Sequence, residues 1–173
     1  PFFKYPVGSN YKVLYPNFTS ILEDIIPYGF ENDTNLVQII HNITNVSVSQ
    51  IKNDLKWGSG AEINIAQLGS TPNNGNIKGK FNPNEPNKIY IDIDLVNEYE
   101  NNYDPNNQAS TLPLQALIIY SVILHELVHY EDCQFDSIMT NNVELGLYFE
   151  SLYNGGYYEF NPNGDGSIIF IKD

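Results

Sequence analysis

The chain has 173 residues, 42% of them hydrophobic and 13% aromatic, which is enough for one well-buried core and too little for two comfortable domains. Its formal charge of -13 argues against nucleic acid and anionic membranes as partners, because both are met with Lys and Arg. It opens at Pro1 without an initiator Met, a signal-peptide core or a run of about 18 apolar residues, and so reads as a soluble fragment or processed domain.

The first third has helical periodicity. Asn17 to Ile26 carries apolar residues at helical spacing and is expected to stop at Pro27, and Asn35 to His41 repeats the pattern. Ser47-Val-Ser-Gln50 resembles a capping box ahead of a helix over Ile51 to Trp57, with Gly58 as its stop. His41 is read as a helix-surface residue. From Ala61 the period changes to two. Ala61 to Gln67 and Lys88 to Asp94 alternate, with turn-rich sequence and a short strand, Ile77 to Phe81, between them. In the second of these strands Ile89, Ile91 and Ile93 share one face, while Tyr90, Asp92 and Asp94 share the other, read as a solvated face rather than as metal ligands. An edge strand here could hold an extended peptide by strand addition. Asn97 to Gln108 reads as a loop.

Next comes the stretch that carries chemistry, Ser121-Val-Ile-Leu-His-Glu-Leu-Val-His-Tyr130. It contains two of the three histidines of the chain, in the pattern HExxH. Leu114 to Leu124 is apolar enough for a buried helix, Ser110 or Thr111 offers a cap, and Pro113 suits a first turn. Residues four apart on a helix share a face, so His125 and His129 can bind one Zn²⁺. In that arrangement the ion acidifies a water and polarises a peptide carbonyl, while Glu126 takes the proton and passes it to the leaving amine. The bland alternative is a pair of satisfied histidines at the end of a core helix.

A catalytic zinc site takes a third protein ligand and leaves the fourth position open. Asp132, Asp136, Glu144, Glu150 and Glu159 are candidates. Asn142 to Asn154 reads as a second helix ending at Gly155-Gly156, and on a helical wheel Glu144 falls beside Ser151 on a solvent stripe. Glu150 falls on the inward side with Gly146, which would let this helix approach the motif helix closely, and with Asn154, which could hold a ligand histidine from behind. Glu150 is therefore preferred, with Glu144 left open. Tyr153, on the same side, is the first choice as donor to an oxyanion, ahead of Tyr157 and Tyr158. Cys133, the lone cysteine, reads as a packing residue. Asn161-Pro-Asn-Gly-Asp-Gly166 echoes a calcium loop, but Lys172 stands where the bidentate Glu belongs, so it reads as the turn of a hairpin from Tyr157-Tyr-Glu-Phe160 to Ser167 through Ile171.

Trp57-Gly-Ser-Gly60, the alternating strands, Leu95-Val96, His125 through Tyr130 and Glu144-Leu-Gly-Leu-Tyr-Phe-Glu150 together resemble the metallopeptidase toxin 3 family, zincin-like domains at the ends of bacterial polymorphic toxins. The resemblance spans most of the chain. It implies an α+β, zincin-like fold with a small mixed sheet and the motif helix above and the glutamate helix below; the residue patterns divide the expected single domain, 1–173, into a helical N-terminal part (1–57), a small sheet (61–94), the active-site helix (110–133), the glutamate helix (141–154) and a C-terminal hairpin (157–171). It also implies a secreted or delivered bacterial effector that cleaves proteins. Both glutamates of the Glu-x-Gly segment match the family pattern.

Two functions are then in play. One is a monomeric zinc endopeptidase, with His125, His129 and Glu150 on the metal, Glu126 as base and acid, Tyr153 at the oxyanion, a protein or peptide as substrate and an immunity or inhibitor protein as possible partner. The other is an inactive zincin-fold binding module acting through a protein partner. The intact Glu126 favours the enzyme, because a structural zinc site closes with a fourth protein ligand and needs no carboxylate beside its first histidine.

Overall fold

In the computed structural model, which describes residues 3–55, 57–58, 60–71, 75–103, 114–136, 144–160 and 168–172, the helical first third forms in more pieces than its periodicity suggests. They are α1 (Tyr11–Leu14), α2 (Pro16–Ser20), a π-helical turn (Ile21–Ile25), α3 (Ile26–Asn32), α4 (Thr34–Thr44) and α5 (Val48–Asp54). The helix expected to stop at Pro27 carries through it. A proline lacks the N–H of an ordinary turn and its ring crowds the carbonyl four residues back. Here the wider π turn, closed by Ile26 N–H to Ile21 O, comes just before, and Pro27 falls in the first turn of α3, where no donor is needed. The continuous rod buries Phe18, Ile21, Leu22, Ile26 and Phe30 on one side.

Asp33 separates α3 from α4. Its carboxylate accepts the N–H groups of Asn35 (3.0 Å) and Leu36 (3.1 Å), and α4 then buries Leu36, Val37 and Ile40. His41 lies half-buried on α4, its Nδ1 on the Val46 carbonyl. Ser47 caps α5 through Gln50 N–H, but α5 ends at Asp54, short of Trp57, whose ring instead meets Tyr5 edge-on at 5.2 Å under the Lys12 ammonium.

The strands are β1 (Glu62–Ala66), the small pair β2 (Ser70–Thr71) and β3 (Gly75–Asn76), then β4 (Gly79–Phe81) and β5 (Lys88–Asp92). The main sheet has the order β1-β5-β4, with β1 parallel to β5 (Ile63 beside Ile89) and β4 antiparallel to it (Gly79 beside Ile91). Strand β5 stops two residues earlier than its alternation suggests, and helix α6 (Ile93–Asn102) occupies ground expected to be loop. The reason is Asp92. It is 2% exposed, one carboxylate oxygen capping α6 through Asp94 N–H (3.1 Å) and the other accepting Leu68 N–H (3.0 Å). Asp92 is therefore a buried cap, not part of a solvated face. Leu95, Val96 and Tyr99 then fill the buried side of α6.

Helix α7 (Leu114–Asp136) crosses the sheet, packing on β4 and β5 with one flank and on α4 and α8 (Leu145–Asn154) with the other. Ile118, Ile119, Ile123, Leu124, Leu127 and Val128 are all at most 2% exposed, so α7 is the spine of the core. Its expected caps, Ser110, Thr111 and Pro113, lie outside the described residues. Helix α8 ends at Gly155, whose positive φ of 71° suits glycine, and β6 (Gly156–Phe160) pairs antiparallel with β7 (Ile168–Lys172) as the expected hairpin. The Asn161–Gly166 turn lies outside the described residues. The helices and small sheet make an α+β fold, as the sequence suggests.

Glu131, on α7, is fully buried, and neither carboxylate oxygen has a hydrogen-bond partner among the described residues. Burial, reinforced by the nearby Asp54 charge, pushes its carboxyl up to about 8. A carboxyl raised above its unfolded value weakens the fold as pH rises past the ordinary carboxylate range and reaches its full cost above the folded value. Glu131→Leu should therefore stabilise the chain more at pH 9 than at pH 5, by a further few kcal/mol at most, on the order of 4. Denaturant melts of both proteins at the two pH values check this, and an equal gain at both would count against a carboxyl raised by burial.

Candidate metal centre

On α7 the motif histidines stand one turn apart, edge to face, with ring centroids 5.2 Å from each other, His129 buried and His125 half-buried. What lies against them is decided by Gly146. A Cβ built there would overlap the His125 imidazole, so α8 rests its backbone directly on that ring. This is the close approach expected of a glycine at this position. Gly146→Ala should force α8 away, lowering metal affinity by at least tenfold and stability by about 1–3 kcal/mol. Metal titration and melting check both, and an alanine variant with unchanged metal affinity would contradict the packing.

Glu144 and Glu150 take different sides of His125. Glu144 is not in the helix but is its N-cap, in extended backbone (φ −76°, ψ 91°). One carboxylate oxygen accepts Leu147 N–H at 2.7 Å; the other lies 2.8 Å from His129 Nε2 and 3.3 Å from His125 Nε2. Glu150 is 6% exposed and meets the opposite nitrogen, His125 Nδ1, at 2.7 Å. The structure thus brings Glu144, not the preferred Glu150, to the side where both Nε2 atoms converge. The helical wheel put Glu144 on a solvent stripe because it assumed a helix beginning at Asn142. A residue at the cap lies off the wheel, and its side chain is free to turn back.

The electrostatics follow from these contacts. Burial alone would lower the His125 proton affinity, but its hydrogen bonds to Glu144 and Glu150 outweigh this and hold the imidazole up at about 10. Burial works against the Glu144 carboxylate too, and its bonds to His125 and His129 more than offset that, holding it well below the usual carboxylate range. Glu126, between the histidines in sequence, turns towards the sheet. It is buried against β4, where a Cβ on Gly79 would stand 2.8 Å from its Oε1, and a Phe81 backbone hydrogen bond reaches it. Burial pushes its carboxyl up, against the pull of His125 and His129.

Tyr153 is joined to a different part of the fold. Its hydroxyl donates to Asp33 at 2.8 Å and its ring stacks on Phe149, centroids 5.6 Å apart. Of the other expected residues, Asp132 is buried on α7, and the side chains of Asp136, Tyr157, Tyr158 and Glu159 lie outside those described. Asn154 was expected behind a ligand histidine; Glu150 stands there instead. Gly79 escaped the sequence reading, although a lone glycine inside a strand is itself a sign of close approach.

The donor set fits a metal. His125, His129 and Glu144 each offer one ligand atom, and these atoms lie within 4.8 Å of one another. Ligands about 2.1 Å from a tetrahedral ion stand about 3.4 Å apart, so small side-chain adjustments would admit one. Glu150 lies on His125 Nδ1, where a carboxylate would hold a metal-ligating imidazole with its Nε2 turned to the ion. Over residues 11–155 the chain matches the family model described as metallopeptidase toxin 3. The chain belongs to the metallopeptidase toxin 3 family. The matched span contains His125, Glu126, His129, Glu144, Glu150 and Tyr153, and stops at the start of the C-terminal hairpin. No curated protein and no solved structure gives a significant match. Among the described residues of this metallopeptidase toxin domain, no helix is long and apolar enough to cross a membrane.

Proposed function

We propose that this metallopeptidase is a zinc endopeptidase with a zincin-like active site, in which His125, His129 and Glu144 hold Zn²⁺. The observation that carries the reading is one carboxylate oxygen of Glu144 within 3.3 Å of both histidine Nε2 atoms. Two imidazoles and one carboxylate are a donor set used by catalytic zinc, with a position left for substrate chemistry. When bound, the ion supplies Lewis acidity for a peptide carbonyl and for an attacking water.

The residues of the chain do the rest. Glu126 receives the proton of the water and delivers it to the departing amine nitrogen; its buried setting raises its proton affinity, which suits a carboxylate for both tasks. Glu150 holds His125 in one tautomer, and the Glu144 cap fixes the start of α8 against the site. Tyr153 is bonded to Asp33, and the reading gives it no part in the chemistry. As a member of a toxin family the domain acts on a protein substrate as a delivered effector; a monomeric state and a cognate immunity protein belong to the same proposal. Digestion of an unstructured protein such as casein tests it. The cleavage should disappear with a zinc chelator and return with added zinc, and cleavage indifferent to the chelator would refute it.

A further inference from the structure

A hollow of about 600 Å³ opens where the α7 and α8 helices meet the π turn, α3 and the start of α4. Leu117 and Ser121 of its wall stand eight and four residues before His125, on the same face of α7, and Tyr153 and Asn154 stand one turn beyond Glu150 on α8. The hollow therefore begins one helical turn, about 6 Å along the axis, from the His125–Glu150 hydrogen bond. An extended peptide advances about 3.3 Å per residue, so two to three residues of a chain lying along α7 past His125 span that axial distance.

Its chemistry is specific. Tyr28, Tyr120 and Tyr153 contribute rings, Ile25 and Leu117 contribute apolar wall, and Asp33 is the one charged group among the described lining residues. Asp33 accepts Asn35 and Leu36 N–H on one oxygen and the Tyr153 hydroxyl on the other, which leaves an acceptor position on that second oxygen among the described contacts. Apolar wall for a methylene stem, aromatic side chains beside it and a carboxylate for a cationic head suit a long basic side chain. The formal charge of -13 draws such a group in.

We propose that this hollow is a substrate subsite for an arginine or lysine side chain, with Asp33 as the residue that sets the preference and Tyr28 as its exposed rim. The inference rests on the peptidase reading for the word substrate. The binding itself does not need turnover, so the test is made on zinc-loaded Glu126→Gln protein with two small probes, N-acetylarginine methylamide and N-acetylnorleucine methylamide. Tyrosine ring resonances are followed by NMR. The arginine probe should shift the rings of Tyr28, Tyr120 and Tyr153 at about tenfold lower concentration than the norleucine probe. Asp33→Asn keeps a good helix cap and should erase that preference while zinc content stays constant. Tyr28→Ala, which leaves the Asp33–Tyr153 bond in place, should weaken the arginine probe alone. Equal response to both probes, or a preference that survives Asp33→Asn, overturns the proposal. If the arginine preference holds but the active chain cuts no protein, the peptidase reading falls and the basic side-chain site stands.

Discussion

Glu126→Gln should lower proteolysis by about 10²- to 10⁴-fold while the protein still binds one zinc per chain. The substitution keeps the shape of the side chain and its polar contact near Phe81, but an amide cannot accept the proton that the water must lose. Metal binding should survive because Glu126 is not among the three donors, His125, His129 and Glu144, whose ligand atoms converge. The fold should survive as well. Burial already disfavours the charged form of this carboxyl, so a neutral isostere at pH 7 should melt no lower than the parent. Zinc content, melting temperature and casein cleavage measured on one preparation separate these effects. Undiminished cleavage in a zinc-loaded Glu126→Gln chain would show that another group moves the proton.

Glu144 and Glu150 should differ in how strongly they govern the metal. Removing a hydrogen-bonding partner behind a ligand histidine costs about 10- to 100-fold in affinity, and Glu150→Ala should fall in that range. Loss of Glu144 takes away a proposed ligand and should cost more. Glu144→Ala also removes the α8 cap, worth about 1 kcal/mol, so Glu144→Ser is the sharper variant: serine caps a helix well and cannot reach the site. Competition with a chelator of known zinc affinity gives both constants. If Glu150→Ala loses more zinc than Glu144→Ser, the ligand and its supporting carboxylate have been assigned the wrong way round.

Sequence made the motif helix plain, because His125 and His129 at helical spacing sit within an apolar run too long for a strand. Gly146 was also legible, since a glycine inside an amphipathic helix implies a close neighbour. The place of Glu144 was not. Whether a helix starts at Asn142 or at Leu145 changes which carboxylate faces the two histidine Nε2 atoms, and the cap that sets the helix start is not encoded by periodicity. The same ambiguity hid α6: Ile-Asp-Ile-Asp alternates like a strand while Asp92 begins a helix. Pro27 looked like a stop because the π turn that accommodates it has no simple sequence mark. The bond from Tyr153 to Asp33 joins residues 120 apart, and only the folded chain puts them together.

Crystals of the zinc-loaded protein, with anomalous diffraction recorded on either side of the zinc absorption edge, give the most direct test of the central claim. We expect one anomalous peak per chain, within about 2.0–2.2 Å of His125 Nε2, His129 Nε2 and a Glu144 carboxylate oxygen, with Glu150 still on His125 Nδ1. No peak between the histidines, or a peak ligated by Glu150 in place of Glu144, would contradict it.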